Sequence, residues 1–181
     1  MYKKTIGTLI LSLFLFSALF AQEEVVYSSQ DSATVSCNRI NLEDKSYNDL
    51  AKRSFAAAEP YYLRSYNSKN DFAAFQLGKR QCSKVFLYIK LFKFNTCMKD
   101  NESLEIMTES GIRYSLENKL KVNCEGNIVA ELSEKDIKEL SGYKISGFLV
   151  MSLQKDYEFH LTQEMSSKFS EDLMCLSEYK F

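Results

Sequence analysis

The chain has 181 residues, 45% of them apolar and 26% charged, with 23 basic against 24 acidic residues, five cysteines, one histidine, one proline and no tryptophan. With no basic excess to neutralise phosphates, nucleic acid is excluded as an expected partner. One histidine, and cysteines without CxxC spacing, leave no metal centre and no cofactor to expect.

The first stretch, MYKKTIGTLILSLFLFSALFAQEE, places Lys3 and Lys4 before an apolar run from Ile6 to Phe20, with small Ala21 preceding the polar Gln22-Glu23-Glu24. This is the pattern of a secretory signal peptide, residues 1–21, cut after Ala21. The run is about 15 residues, short of the ~20 that a spanning helix needs. No second apolar stretch approaches that length, so no membrane span is expected after signal removal. Cleavage leaves 160 of the 181 residues and takes two of the 23 basic residues, which sets the mature charge near −3. The expected product is an exported domain, periplasmic or extracellular.

Residues 22–45 are polar without a sustained period and read as a loosely structured lead-in; residues 46–181 read as a single domain. "SYNDLAKRSFAAAEPYY" is open between a short helix stopped by Pro60 and a strand. The runs at 71–78 (DFAAFQLG) and 84–94 (KVFLYIKLFKF) follow. In the second, Val85, Leu87, Ile89 and Leu91 alternate with Phe86, Tyr88, Lys90 and Phe92, which reads as a central strand covered on both sides.

"ESLEIMTESGIRYSLEN" (102–118) reads as a hairpin. A three-residue loop Glu109-Ser110-Gly111 pairs Thr108 with Ile112, Ile106 with Tyr114 and Leu104 with Leu116 on one face, and gives Gly111 the left-handed position. A two-residue loop would mix core and solvent partners, so this register is the expected one.

"NIVAEL" (127–132) is a further strand. It leads into a helix at about 133–141, capped by Ser133 with Asp136 in the reciprocal position, with Leu132 and Ile137 placed for a hydrophobic staple, and stopped at Gly142. A second hairpin joins KISGFLVM (144–151) to DYEFHL (156–161), with Tyr157, Phe159 and Leu161 on one face and Glu158 and His160 on the other. Thr162 caps a last helix, about 162–176, with Met165, Phe169, Asp172, Leu173 and Leu176 on one side. The order favours α+β: an antiparallel sheet of about six to seven strands with two helices packed on it.

From about Phe72 to Leu176 the segments FNTC, LEIMTESGIRYSLEN, VNCEG, LSEKDIKEL…KISGFLV and LMCL resemble small exported bacterial proteins of unknown function. The resemblance implies export and the α+β fold, and it implies no reaction.

The candidates for chemistry are few. His160, by alternation, is an exposed strand residue, and no GxSxG elbow accompanies it. The acidic pairs Glu23-Glu24, Glu43-Asp44 and Glu171-Asp172 read as solvated charge, and the basic tract GKRQCSK with Lys90 and Lys93 as outward positions and a turn. Asn101 of "NES" is a glycosylation sequon only in a eukaryotic secretory route. The aromatics Phe55, Tyr61, Tyr62, Tyr66, Phe72 and Phe75 are either core or platform, and Tyr61, Tyr62 and Tyr66 are the candidate aromatic binding surface.

Five cysteines survive export, an odd number. Cys97 lies seven residues before Leu104 and Cys124 eight after Leu116, so the hairpin ends bring them together and a Cys97–Cys124 disulfide is expected. Cys37–Cys82 is the second choice, leaving Cys175 as the unpaired thiol. The function expected is a non-enzymatic exported module binding a protein or cell-envelope component; the alternative is a small secreted hydrolase whose site the sequence does not reveal.

Overall fold

The computed structural model describes residues 37, 40–45, 53–81, 84–93 and 95–181, without the side chains of 42–45, 53, 54 and 102. The expected signal peptide lies outside the described residues, as do residues 22–36 of the lead-in. Among the described residues, ten strands and two helices follow in chain order: β1 Asn41–Lys45, β2 Arg53–Ala57, β3 Tyr61–Arg64, β4 Phe72–Arg80, β5 Val85–Phe92, β6 Asn101–Thr108, β7 Arg113–Asn118, β8 Asn127–Leu132, α1 Glu134–Ser141, β9 Ile145–Met151, β10 Asp156–His160 and α2 Gln163–Glu178. The fold is α+β, with every named strand pairing antiparallel.

Nine strands lie in the order β1-β2-β4-β5-β8-β7-β6-β9-β10, and β3 joins β4 beside β2. The expected six to seven strands are therefore too few. The additional ones come from the lead-in, whose residues 41–45 form β1, and from the stretch left open between helix and strand, which forms β2 and β3. An alanine-rich segment has good helix propensity, but Phe55, Ala56 and Ala57 pair with Arg80, Lys79 and Gly78, and tertiary pairing overrides it.

β2 and β3 are one strand interrupted by a bulge. Ala57 faces Gly78 and Tyr61 faces Phe75, so three residues stand opposite two. Pro60, which has no N–H to give a ladder, sits in the interruption, and Gln76 donates its side-chain amide to the Ala58 carbonyl at 2.9 Å.

At the other end of β3, Ser65 bridges to Phe159, and the Tyr66 N–H donates to the Glu158 carbonyl at 2.7 Å. These bonds return β10 to β3 and close a circuit of eight strands, β3-β4-β5-β8-β7-β6-β9-β10. Its inner face carries the largest buried side chains, Phe75, Phe148, Phe159 and Tyr157, and α2 adds Phe169. Phe75 stacks on Phe148 at 4.5 Å, and Phe169 meets Phe148 at 5.5 Å and Tyr61 at 6.0 Å. Burying a large apolar side chain contributes about 1.5–3 kcal/mol, so this aromatic group anchors α2 to β3, β4 and β9.

Local signals act as their chemistry dictates. In the β6–β7 hairpin Leu104, Ile106 and Met107 face Leu116, Tyr114 and Arg113, and Gly111 at the turn has φ +83°. Ser133 accepts from the Asp136 N–H while Asp136 accepts from the Ser133 N–H, a complete capping box. Thr162 accepts from the Met165 N–H at 3.2 Å. Among the described residues no helix is long and apolar enough to cross a membrane.

Candidate binding surface

Strand register arranges the outer face of the sheet in rows. Arg64, Phe72 and Phe92 form one row; Tyr62, Ala74, Lys90 and Asn127 the next; Gln76, Tyr88 and Val129 a third; Gly78, Phe86 and Glu131 a fourth. The residues between them in sequence, such as Leu63, Ala73, Phe75, Leu87 and Ile128, are buried on the inner face. One consequence corrects the expectation for β5. Its second face is not covered along its length, since Phe92 is 51% exposed while only Phe86 is buried there.

Small Ala74 lies low between larger neighbours, and a trough of about 390 Å³ opens over it, bordered by Pro60, Tyr62, Gln76, Tyr88, Lys90 and Asn127. Leu120 and Val129 continue the border, beside the point where Asn118 of β7 pairs with Ala130 of β8. The Asn118 side-chain oxygen accepts from the Leu120 and Val129 N–H groups at 3.1 Å each, in place of main-chain carbonyls. The trough is lined by one cation, Lys90, and by no carboxylate. Lys90 donates to the Glu125 main-chain carbonyl at 2.5 Å.

Cations and rings share this face. The Arg80 guanidinium lies 5.1 Å from the Phe86 ring and 5.9 Å from Tyr88, and its Nε donates to the Tyr88 hydroxyl at 3.1 Å. Phe55 meets Tyr88 edge-on at 5.7 Å. Arg64 lies 4.8 Å over Phe72. Exposed Arg–aromatic contacts of this kind contribute on the order of 0.5–1 kcal/mol each.

The candidate tyrosines divide. Tyr62 and Tyr66 are 68% and 77% exposed, but Tyr61 points inward and its hydroxyl donates to Asp172 at 2.5 Å within the core. Alternation along β3 dictates this, because adjacent strand residues face opposite sides. Tyr62 borders the trough, whereas Tyr66 lies at the β3–β10 seam with its ring 4.9 Å from that of His160. His160 is an exposed partner of Glu158 at 2.8 Å. The basic tract is not uniformly outward: Lys79 turns inward to the end of α2, while Arg80 and Lys84 face solvent.

Sequence reasoning missed Arg64, Arg80, Lys90 and Phe92 as members of one surface. Lys90 was the cue, since a lysine in the middle of an apolar run marks the face that is not sealed.

The cysteines form two bonds, Cys97–Cys124 and Cys37–Cys175. Cys37 does not pair with Cys82, and Cys175 is not free. Cys82 lies outside the described residues. Disulfides persist in oxidising compartments, so the pair of bonds points to an environment of that kind.

Asp71 is a strongly perturbed acid. Burial opposes its charge, but the Ser68 hydroxyl and the ammonium groups of Lys93 and Lys155 outweigh burial and hold its pKa at about 2. Lys93 stands 2.9 Å away and Lys155 3.1 Å. Asp71 thus ties the β3–β4 turn to the end of β5 and the start of β10. A carboxylate held ionised by one hydroxyl and two ammonium groups ties these segments together, and it lies apart from the trough.

The chain matches no protein-family model, no curated protein and no solved structure. The geometry of the outer face therefore carries the functional reading.

Proposed function

We propose that this chain is an exported, non-enzymatic binding domain for a protein or cell-envelope component, and that the outer face of β3, β4 and β5 is its contact surface. One observation carries the reading: Tyr62, Phe72 and Phe92, all exposed, share this face with the trough. Large exposed rings gathered on one surface are expensive to leave in water, and they mark interaction sites. The two disulfides support the exported half of the reading.

Affinity capture from the envelope of the source cell tests the binding role, with wild-type and Tyr62→Ala/Phe92→Ala proteins as baits. Both side chains are exposed, so the variant retains its fold. Specific recovery of a component by the wild type and its loss with the variant support the proposal. Equal recovery by both overturns the assignment to this face. Intact mass of protein recovered from periplasm or medium tests export: a chain starting at Gln22 is expected, and full-length protein held in the inner membrane refutes it.

A further inference from the structure

We infer that the outer face binds an anionic polysaccharide, laid along β4 so that sugar rings rest on aromatic rings and acidic groups meet the intervening cations. The inference rests on the reading of this face as the contact surface, and it names the class of ligand.

The first argument is charge. Arg64, Lys90 and Arg80 stand at separate stations along β4, in the rows of Phe72, Ala74 and Arg80 itself. Among the described residues none of the three has a carboxylate partner, whereas Lys84, Lys93, Arg113, Lys119, Lys155 and Lys168 each do. No acidic residue lines the trough between them; the carboxylate beside it, Glu125, is engaged by the Asn127 amide at 3.0 Å. The three donate to neutral oxygens, the main-chain carbonyls of Lys69 and Glu125 and the hydroxyl of Tyr88, so their charge is not neutralised; the chain as a whole carries net charge −1, and this local positive charge is complementary to a negative ligand.

The second argument is the alternation of rings with those cations. Arg64 lies over Phe72, with Phe92 next in the same row, Tyr62 stands across Ala74 from Lys90, and Tyr88 and Phe86 lie beneath Arg80. From Phe72 to Arg80 is eight steps of strand, or about 26 Å at roughly 3.3 Å per residue. The surface is thus an elongated stripe. Sugar rings have apolar C–H faces that pack on aromatic rings and polar edges that suit side-chain amides, here Gln76 and Asn127 beside the trough, each held in place by one N–H given to Ala58 and Glu125.

The third argument separates a glycan from a peptide. β4 is paired with β2 and β3 on one edge and β5 on the other, and β5 with β4 and β8. No main-chain edge faces the stripe, so a peptide cannot gain the ladder bonds of strand addition. Recognition has to be made by side chains alone, with rings and cations doing the holding.

The test is direct titration of the folded, disulfide-bonded protein with oligogalacturonides of increasing length, with neutral dextran oligomers, poly-glutamate and oligo-dT as comparison probes. The expected result is saturable binding of oligogalacturonide that tightens with chain length up to the span of the stripe, weakens with salt, and is at least about tenfold tighter than for any comparison probe. Tyr62→Ala, Lys90→Glu and Arg64→Glu are each expected to weaken it by about tenfold or more, with unchanged Tm. No binding of oligogalacturonide overturns the inference, as does binding indifferent to these three substitutions or equal binding of poly-glutamate or oligo-dT. If oligogalacturonide fails while envelope capture remains sensitive to Tyr62→Ala/Phe92→Ala, the ligand class is wrong and the contact surface stands. If capture is insensitive as well, both fall.

Discussion

Lys79 of β4 caps a helix that belongs to the other end of the chain. Its ammonium donates at 2.9 Å to the main-chain carbonyls of Ser177 and Tyr179, at the C-terminus of α2. That end of α2 has no basic residue of its own in its last turn, although the last carbonyls of a helix lack intrahelical donors and carry partial negative charge. Lys79→Met keeps the aliphatic stem and removes the donors. It is expected to lower stability by about 1–2 kcal/mol, read as a reduced denaturation midpoint. Lys79→Arg should recover part of the loss.

Gly147 is set by a close approach of main chains. A β-carbon there would stand 2.1 Å from the Phe159 carbonyl oxygen, between strand partners Met107 and His160. Backbone cannot rotate away as a side-chain tip can, so Gly147→Ala must displace β10. The expected cost is about 3 kcal/mol, the upper end for overpacking. Amide exchange should quicken in β10 and at Leu161, whose N–H donates to Ser146, while the β5–β8 ladder stays protected.

Where local chemistry decides structure, the sequence was legible. The β6–β7 register follows from which side chains must share a face and from a glycine at the turn, and the structure pairs Leu104 with Leu116. The caps at Ser133 and Thr162 needed only the next three residues. What was not legible depends on distant partners. Arg53–Ala57 is a strand because β4 offers it an edge. Cys37 meets Cys175 across 138 residues, a pairing that no local pattern encodes. The candidate surface lay between these cases. Tyr62 was named with Tyr61 and Tyr66 as a candidate without telling which of them is buried, and Phe92 was hidden because both faces of β5 are apolar in sequence, while the structure leaves Phe92 51% exposed.

The two disulfides should differ in weight. Cys97 and Cys124 are 27 residues apart, for which loop entropy gives about 3–4 kcal/mol; the 138-residue separation of Cys37 and Cys175 gives about 5 kcal/mol. Cys97→Ser/Cys124→Ser and Cys37→Ser/Cys175→Ser proteins are therefore both expected to melt lower than wild type, the second by more. Urea midpoints under non-reducing conditions measure the difference. Non-reducing peptide mapping should recover the two linked peptides, and alkylated Cys97 or Cys175 from unreduced protein would contradict the connectivity.

Asp71 gives the fold a defined response to acid. Its pKa is lowered from 3.8 to about 2, so the folded protein holds this carboxylate ionised at a pH where the unfolded chain has taken up a proton. A depressed acid stabilises above its unfolded pKa, and the contribution disappears as pH falls through the folded one. The window is thus pH 4 down to about 2. Lys93 gives the opposite limb. The hydrogen bond and charge of Asp71 raise its pKa above 10.5, so its share is present below 10.5 and is lost as pH rises beyond. Asp71→Asn removes the ion pairs while leaving Lys93 and Lys155 able to turn to water, since their side chains are 42% and 44% exposed. The cost should fall between that of a surface pair and that of a fully buried one, at about 2 kcal/mol. Denaturant midpoints for wild type and Asp71→Asn should run parallel from pH 7 to about 4 and converge below it. A constant difference down to pH 2 would show that Asp71 does not hold its charge through this pair of lysines.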